Sequence, residues 1–337
     1  MPITHQGTIC YSIEELLQRT HLPPSAVRPC LEDASFAGAL RLNDSVYITE
    51  DALSDFFARC FSYAGVAPSC YAMPDDLQHA ASPWAKTLLE MYRHPFAFGT
   101  SLSPQQGRVL HTLVANIQPR NIVEIGSFIG ISSIWMAAGF SQDNTDGTLH
   151  AIDLFYEIMP CYPYRSGYLK DPLSFAESAA NAAHLAERIR FYRMNSYEVG
   201  RQIDTLFDFP IDLLFIDGDH SIRGCMNDFA LFAPSVSPGG IIVLHDIYPD
   251  VCGYKGPRYL LDHVIQDTPE FKVIELATTP RNYGMAIIQK TAHHTRPWHS
   301  FGYWKLAHIR LKARIQKTRT WKIFKAHPFV NILKKAL

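Results

Sequence analysis

Strand-like and helix-like hydrophobic patterns alternate over residues 101–290. Short β-rich runs are followed by stretches in which apolar residues recur at helical spacing, such as Pro172–Glu187 and Ile222–Phe232. Repeated strand–helix units predict a doubly wound, mostly parallel seven-stranded sheet with right-handed crossovers, closed by an antiparallel pair. The predicted strands are Asn121–Ile125, Thr148–Ile152, Ile189–Met194, Ile211–Ile216, Ile241–Leu244, Phe271–Ala277 and Gly284–Gln289.

Residues 1–62 carry the pattern of a small separate module. Ser12 stands three residues before Glu15 at the start of an apolar run, which predicts a helix with a capping box. The order of elements resembles a winged helix, but a dimerisation or lid role is favoured over DNA binding because the second helix carries only Arg28. The predicted elements are a helix from Ser12, a helix after Pro23, a hairpin over Leu40–Thr49 and a helix over Glu50–Cys60.

The rest of the chain divides into a connector, the main domain and a basic tail. Residues 63–100 predict a connector with some helix, and residues 101–290 form the main domain. Residues 291–337 contain seven Lys and four Arg but no Asp or Glu, and His299–Lys335 predicts a basic amphipathic helix. Packing of this tail on the domain is favoured, with peripheral membrane contact as the alternative and nucleic acid least favoured.

Composition narrows the class of protein. Apolar residues make up 47% of the 337 residues and charged residues 19%, which indicates a folded chain, and the net charge of −1 does not favour nucleic acid as a partner. The seven cysteines are scattered without a CxxC pair, which argues against a zinc knuckle or a disulfide framework. With no signal peptide pattern and no long apolar run, we expect a cytoplasmic protein.

The first strand of the main domain runs into a glycine turn. Gly126 and Gly130 are spaced as G-x-x-x-G, unlike the G-x-G-x-x-G of dinucleotide folds. Small residues let the backbone approach a ligand, and the helix beyond the turn offers free N–H groups. The second strand ends at Asp153, whose carboxylate can accept hydrogen bonds from both hydroxyls of a ribose. With the glycine turn before it, a ribose-binding role for Asp153 is favoured over that of an ordinary strand-end aspartate that caps a loop.

Acidic residues follow two further strands. The fourth strand runs into Asp217-Gly218-Asp219-His220 and the fifth into His245-Asp246. Adjacent strands lie about 5 Å apart, so Asp217, Asp246 and His245 can reach one Mg²⁺ or other divalent cation. His220 is the predicted general base, with Asp219 as the alternative. A metal-free site using His220 or His245, and a helix-capping role for Asp219, both remain open.

Four motifs in this order resemble the class I S-adenosylmethionine-dependent methyltransferases, and more narrowly the O-methyltransferases that modify sugars and macrolides. The likeness covers about residues 101–290. It implies that Gly126, Ser127 and Gly130 line the methionine part of S-adenosyl-L-methionine, that Glu124 reaches it through the loop backbone or the amino group, that Asp153 holds the ribose, and that Asn195 and Ser196 lie near the adenine. The motifs are Val123–Ser132, Ala151–Asp153, Leu213–Ser221 and Ser237–Asp246.

The main hypothesis is an O-methyltransferase that acts on a hydroxyl of a small molecule, a sugar or natural-product glycoside, with a divalent metal assisting. Methylation of a phenol or catechol is the first alternative. The second is a non-catalytic regulatory or DNA-binding protein with a cofactor-sensing domain. The sequence leaves the acceptor, the metal and the oligomeric state open, including a homo-oligomer.

Overall fold

The computed structural model describes residues 2–43, 45–66, 70–141, 147–163, 167–207, 209–266, 268–277 and 283–292. The predicted amphipathic helix over His299–Lys335 lies outside the described residues. Within the part of the chain that is described, no helix combines the length and the apolar character needed to cross a membrane.

The N-terminal module consists of three helices and a four-stranded antiparallel sheet. The predicted hairpin is confirmed, with Leu42 opposite Ser45, and Ser12 caps the first helix by accepting a hydrogen bond from the Glu15 N–H (3.2 Å). The strand order is β1-β2-β4-β3, where the elements are β1 (Ile3–His5), β2 (Thr8–Ser12), α1 (Ile13–Thr20), α2 (Pro24–Glu32), β3 (Ala39–Leu42), β4 (Ser45–Thr49) and α3 (Leu53–Tyr63).

The main domain contains a seven-stranded sheet. Its order is β10-β11-β9-β8-β5-β6-β7, and β11 alone runs antiparallel to its neighbours among these strands. The predicted mostly parallel sheet with a closing antiparallel pair is therefore confirmed. The strands are β5 (Asn121–Ile125), β6 (Thr148–Asp153), β7 (Ile189–Arg193), β8 (Ile211–Ile216), β9 (Val236–His245), β10 (Phe271–Leu276) and β11 (Met285–Lys290).

Helices cover both faces of this sheet, because side chains of successive strand residues point to opposite faces. Leu213 and Phe215 belong to one buried cluster and Leu214 and Ile216 to the other. Besides the α-helices, the described residues include short 3₁₀ turns and one π-helical turn that directly follows α13. The helices are α4 (Asp75–Gln78), α5 (Pro83–Arg93), α6 (Pro104–Ile117), α7 (Ile131–Ala137), α8 (Pro172–Ala182), α9 (Ser196–Gly200), α10 (Ile203–Leu206), α11 (Ile222–Phe232), α12 (Pro249–Cys252) and α13 (Gly256–Leu260).

Two elements differ most from their predicted bounds. Helix α8 ends at Ala182 rather than Glu187, because His184 takes a positive φ of 59° that a helix does not accommodate. Strand β9 begins at Val236 rather than Ile241, with an irregular register around the glycine pair at 239–240. Residues of the predicted connector, such as Leu88 and Tyr92 on α5, belong to the same buried cluster as the sheet.

Candidate active site

A cavity of about 1150 Å³ opens beyond the carboxyl ends of β5, β6, β8 and β9 and beside the turn after β7. This is the edge at which parallel sheets bind ligands. Four residues that the sequence predicted for the site are buried beside the cavity without lining it, namely Glu124, Ser127, Gly130 and His245. The predicted residues that line it are Gly126, Asp153, Asn195, Ser196, Asp217, Asp219, His220 and Asp246.

Gly126 sits where three strand ends meet. Its N–H donates to the Ile152 carbonyl (2.9 Å), while the Asp217 N–H donates to the Ile125 carbonyl (2.8 Å). Gly126 has a φ of +90°, and a Cβ added there would lie 2.3 Å from the Asp217 carbonyl oxygen. Only glycine satisfies both constraints, so the turn leaves backbone rather than side chain at the cavity wall.

Asp153, at the tip of β6, is fixed by two backbone donors. Its Oδ2 accepts from the Phe128 N–H (2.9 Å) and its Oδ1 from the Phe155 N–H (2.6 Å). Burial raises the pKa of Asp153, and these N–H donors oppose the rise. A carboxylate has about four acceptor positions, so each oxygen keeps capacity for a ligand hydroxyl.

Glu124 holds the glycine turn to the helix that follows it. This fully buried carboxylate accepts hydrogen bonds from the hydroxyls of Ser132 and Ser133, and the Ser133 Oγ lies 2.8 Å from the Ser127 Oγ. Glu124 and Ser127 therefore act on the shape of the loop from behind. Of the two routes by which Glu124 was predicted to reach a ligand, this position favours the one through the loop backbone.

The burial of Glu124 leads us to expect an unusual pH dependence of the free energy of unfolding. Burial raises the pKa of Glu124 to about 8, although the two serines oppose it, whereas an unfolded Glu titrates near about 4.3. The folded state thus binds a proton that the unfolded state has lost, so the free energy of unfolding falls as the pH rises from about 4.5 to 8. In denaturant titrations at pH 5 and pH 8, Glu124→Gln is expected to reduce this fall by on the order of 2–4 kcal/mol.

The matched control for that experiment is Glu187→Gln, which removes an exposed carboxylate elsewhere in the domain. It should keep the wild-type difference between the two pH values. If Glu124→Gln kept that difference too, the buried carboxylate would not be the group responsible.

Four ionisable side chains meet at the tips of β8 and β9. Asp217, His220, His245 and Asp246 each offer one ligand atom, and these atoms all lie within 4.8 Å of one another. Asp217 Oδ1 is 2.8 Å from His245 Nδ1 and 3.2 Å from His220 Nε2. The Asp246 oxygens lie 3.1 Å from His245 Nδ1 and 3.3 Å from His220 Nε2. The structure thus brings together the residues that the sequence placed at these two tips.

The charges of this cluster compensate one another. Burial disfavours the ionised form of Asp217, but the imidazoles of His245 and His220 outweigh it and hold its pKa at about 2. Burial likewise disfavours a charged His245, yet Asp217 and Asp246 raise its pKa to about 9. Protonated His245 therefore supplies positive charge next to the carboxylates of Asp217 and Asp246.

Gln106 orients His245 and is a residue that the sequence did not single out. Its Oε1 accepts from the Ser103 N–H (3.3 Å) in the capping box of α6, and lies 3.1 Å from His245 Nε2. Because Gln106 Oε1 faces Nε2 and the two carboxylates face Nδ1, both ring nitrogens of His245 face acceptors, which favours the doubly protonated imidazolium. The Ser-x-x-Gln pattern was visible in the sequence, but not the packing of α6 against the end of β9.

Asp246 is held in a strained backbone conformation with an unsatisfied oxygen. Its φ is +57°, which is uncommon for a non-glycine residue, and its N–H donates to the Gly284 carbonyl (3.1 Å). Its Oδ1 is buried and accepts no hydrogen bond, although His245 Nδ1 lies 3.1 Å away. A buried carboxylate oxygen that accepts no hydrogen bond is costly, so this atom is available to a ligand.

Asp219 and His220, the two candidate bases, differ in setting. Asp219 is exposed, and its Oδ1 accepts from the Ser221 N–H (2.9 Å). The helix-capping role left open for Asp219 belongs instead to Ser221, whose hydroxyl accepts from the Gly224 N–H (3.0 Å) at the start of α11. His220 is partly buried, contacts both carboxylates and packs its ring 5.3 Å from that of Tyr254. His220 is therefore the more firmly positioned of the two.

The strand order, with antiparallel β11 inserted between β9 and β10, and the acid-tipped β6 next to a glycine turn agree with the mostly parallel fold and closing antiparallel pair that the resemblance implied. Residues 123–247 match the family model described as a methyltransferase domain.

Similar proteins include two curated relatives named catechol O-methyltransferase. The one from Niastella koreensis is 25% identical over 151 residues, which is 44% of this chain and 59% of the relative. The one from Mycobacterium tuberculosis is 30% identical over 122 residues, 35% of this chain and 45% of the relative. The chain thus spans less than two thirds of either. A solved structure of an O-methyltransferase from Bacillus cereus, in complex with SAH, is 22% identical with a TM-score of 0.49, covering 61% of this chain and 91% of that one.

Proposed function

We propose that this chain is an S-adenosylmethionine-dependent O-methyltransferase that acts on a hydroxyl of a small molecule with the help of a divalent cation. One observation carries the proposal. The cluster of Asp217, His220 and Asp246 lines the same cavity as Gly126 and Asp153. A donor site and a polar site for proton and charge handling would therefore share one cavity.

The donor set of the cluster fits a divalent cation. Asp217 and Asp246 contribute carboxylate oxygens, which Mg²⁺ prefers, and His245 presents Nδ1, which suits other divalent metals. The buried Asp246 Oδ1, which accepts no hydrogen bond, would be free to coordinate the cation. A cation bound there would polarise the acceptor hydroxyl and lower its pKa.

For methyl transfer the protein must also align the donor with the acceptor and remove the acceptor's proton. S-adenosylmethionine supplies a methyl group on a positively charged sulfur that leaves as a neutral thioether. Gly126 and Asp153 would place that group, and the cluster would align the acceptor oxygen with it. We assign His220 as the base that takes the acceptor proton while the oxygen–carbon bond forms and the carbon–sulfur bond breaks. Its Nε2 contacts Asp217 and Asp246, which leaves Nδ1 to accept the proton.

The N-terminal module contributes to the wall of the cavity at the end where we place the acceptor. Arg19 and His21 of the module line the cavity together with Tyr156 and Glu157 of the loop after β6. Glu157 joins the two parts, because it accepts from the Tyr11 hydroxyl (3.2 Å) and pairs with the Arg19 guanidinium (2.8 Å). We therefore propose that the module is a lid for acceptor recognition.

Further contacts keep this loop and the module together. The Tyr162 N–H donates to the Thr20 carbonyl (2.9 Å), and Met159 is part of the buried cluster of the module. The charge of the module also favours a lid role rather than nucleic-acid binding. Residues 1–62 contain four Arg, no Lys and eight acidic residues, so the module is negatively charged.

A polyhydroxylated acceptor, such as a sugar or glycoside, suits this end of the cavity. Arg19, His21 and Glu157 offer hydrogen-bonding groups, and the exposed ring of Tyr156 offers a face on which a sugar can stack. A catechol or other phenol is the second candidate, supported by the two relatives named catechol O-methyltransferase.

The test is methyl transfer from radiolabelled S-adenosylmethionine to two acceptor panels, glycosides and catechols, with Mg²⁺ or with EDTA. We expect turnover on glycosides with Mg²⁺ and a loss of at least tenfold with EDTA. Turnover confined to catechols would contradict the glycoside acceptor and favour a phenol acceptor instead. Turnover unchanged by EDTA would contradict the metal, and no transfer to any hydroxyl compound in the panels would contradict the proposed activity.

A further inference from the structure

Glu157 is a partly buried carboxylate that anchors the loop after β6 to the N-terminal module and takes no part in the proposed chemistry. Its Oε1 accepts hydrogen bonds from the hydroxyls of Tyr11 on β2 (3.2 Å) and of Tyr168 (2.8 Å). Its Oε2 pairs with the Arg19 guanidinium on α1 (2.8 Å). Because the three donors come from three separate segments, this one side chain fixes the loop relative to the module.

The loop after β6 packs in two hydrophobic cores at once. Ile158 and Leu169 form an antiparallel bridge, and both pack in the core of the main domain. Met159 and Tyr168, the chain neighbours of that pair, pack in the core of the module. A shift of the module relative to the main domain would therefore move this loop and the part of the cavity wall that it forms.

Tyr156, the residue before Glu157, is the part of the loop that is most open to the cavity. Its side chain lines the cavity and is 73% exposed, the largest value among the large hydrophobic residues that the structure describes. It makes no hydrogen bond or ring contact with another described residue, so the position of its ring depends on the backbone of the loop. An aromatic face in this setting is suited to stacking against an acceptor.

We propose that Glu157 is a positioning residue that sets the affinity for the acceptor by holding Tyr156 in place as the surface on which the acceptor stacks. This inference rests on the proposed O-methyltransferase function. Neither residue belongs to the donor turn at Gly126 or to the cluster at the tips of β8 and β9. Loss of the anchor should therefore weaken acceptor binding and leave donor binding and the transfer step nearly unchanged, which appears as a change in KM without a change in kcat.

The hydroxyls that bind Glu157 are in the form that the anchor requires. Burial, and after it the charge of Glu157, raises the pKa of Tyr11 to about 12, and the same two causes raise the pKa of Tyr168 above its usual value. Both hydroxyls are therefore protonated donors at neutral pH. Glu157→Gln keeps the size of the side chain but turns an amide donor toward one of these donors, which weakens the anchor without leaving a cavity.

The experiment is steady-state kinetics of the full chain with the acceptor of the two panels that shows the highest turnover. We expect Glu157→Gln to raise the acceptor KM by about fivefold or more and Tyr156→Ala by about tenfold or more, with kcat within about twofold of wild type. In the double variant, KM should stay within about twofold of that of Tyr156→Ala, because a residue that acts through another adds little once that other residue is removed. The affinity for S-adenosylhomocysteine should be unchanged in all three.

Two further variants separate the anchor from other effects. Glu157 lines the cavity itself, whereas Tyr168 does not, so Tyr168→Phe tests the anchor without touching the acceptor. It keeps the ring in the module core and should raise KM by about twofold or more. Glu90→Gln, which removes an exposed carboxylate paired with Arg93 on α5, is the matched control and should keep the wild-type values. Thermal unfolding is followed in parallel for every variant.

Each outcome has a distinct meaning. An unchanged KM in Glu157→Gln or in Tyr168→Phe overturns the inference. A parallel loss of kcat, donor affinity and thermal stability makes Glu157 a structural residue, and additive effects in the double variant show that it does not act through Tyr156. Weaker S-adenosylhomocysteine binding in Tyr156→Ala would place that ring at the donor. If the wild type transfers no methyl group, the proposed function fails first and the inference with it.

Discussion

Replacing Gly126 with alanine is expected to reduce the affinity for S-adenosylhomocysteine by at least 100-fold. The new Cβ would lie 2.3 Å from the Asp217 carbonyl oxygen, 2.5 Å from its carbon and 2.7 Å from the Gly218 nitrogen. All three are backbone atoms, so no side-chain rotation relieves the overlap and the ends of β5 and β8 must separate. Because the same turn forms the cavity wall, the donor site is lost with it. Calorimetric titration measures the effect.

Gly239→Ala is the matched control for this substitution. Gly239 also has a positive φ, of +85°, but nothing lies within 4 Å of an added Cβ. That variant carries the conformational cost of a left-handed alanine, about 1–2 kcal/mol, without the overlap. It should bind S-adenosylhomocysteine with nearly wild-type affinity. Wild-type affinity in Gly126→Ala would show that the turn after β5 is not the donor site.

Replacing Asp217 with asparagine is expected to lower methyl transfer and Mn²⁺ affinity by at least 100-fold each. Asp217 Oδ1 accepts hydrogen bonds from the imidazoles of both His220 and His245. Removing one partner from a buried charged pair costs about 3–5 kcal/mol, and the cation would lose one of its oxygen ligands. The affinity for S-adenosylhomocysteine should change by only a few fold, because the backbone of residue 217 still supports the turn at Gly126.

This prediction is measured by Mn²⁺ titration and by turnover on the best acceptor. Asp250→Asn, an exposed carboxylate just beyond the cluster, should retain both values. An Asp217→Asn protein that keeps full turnover and Mn²⁺ affinity would contradict the proposed cation site. One that loses turnover while its Mn²⁺ affinity is unchanged would place Asp217 in proton handling instead.

The sheet could be predicted because each strand is marked by the residues of its own short segment. Buried strands such as β8 are continuous apolar runs, and the parallel arrangement follows from alternating strands and helices. The short strands β1 and β2 carry no such signal, and their pairing depends on contacts across the module. The packing of the helices in residues 63–100 could not be predicted for the same reason, since the core they join is formed by distant strands.

The position of the site could be predicted from the strand order, but the arrangement of its side chains could not. Parallel strands bring their carboxyl ends to one edge, so acids such as Asp153 and Asp217 could be placed near one another from the sequence. What could not be predicted is which side chains face inward. Glu124 lies behind the loop, while Gln106 and Asp228 reach the site from helices whose packing the sequence does not specify. The roles of the basic tail, the oligomeric state and a cytoplasmic location remain predictions.

Titration of the purified full chain with S-adenosylhomocysteine tests the central claim most directly, because every proposed role depends on a donor bound between Gly126 and Asp153. We predict saturable binding at a single site per chain, accompanied by a rise in the thermal unfolding midpoint. Absence of both heat and stabilisation up to ligand concentrations on the order of 1 mM, which corresponds to about −4 kcal/mol of binding free energy, would contradict the account.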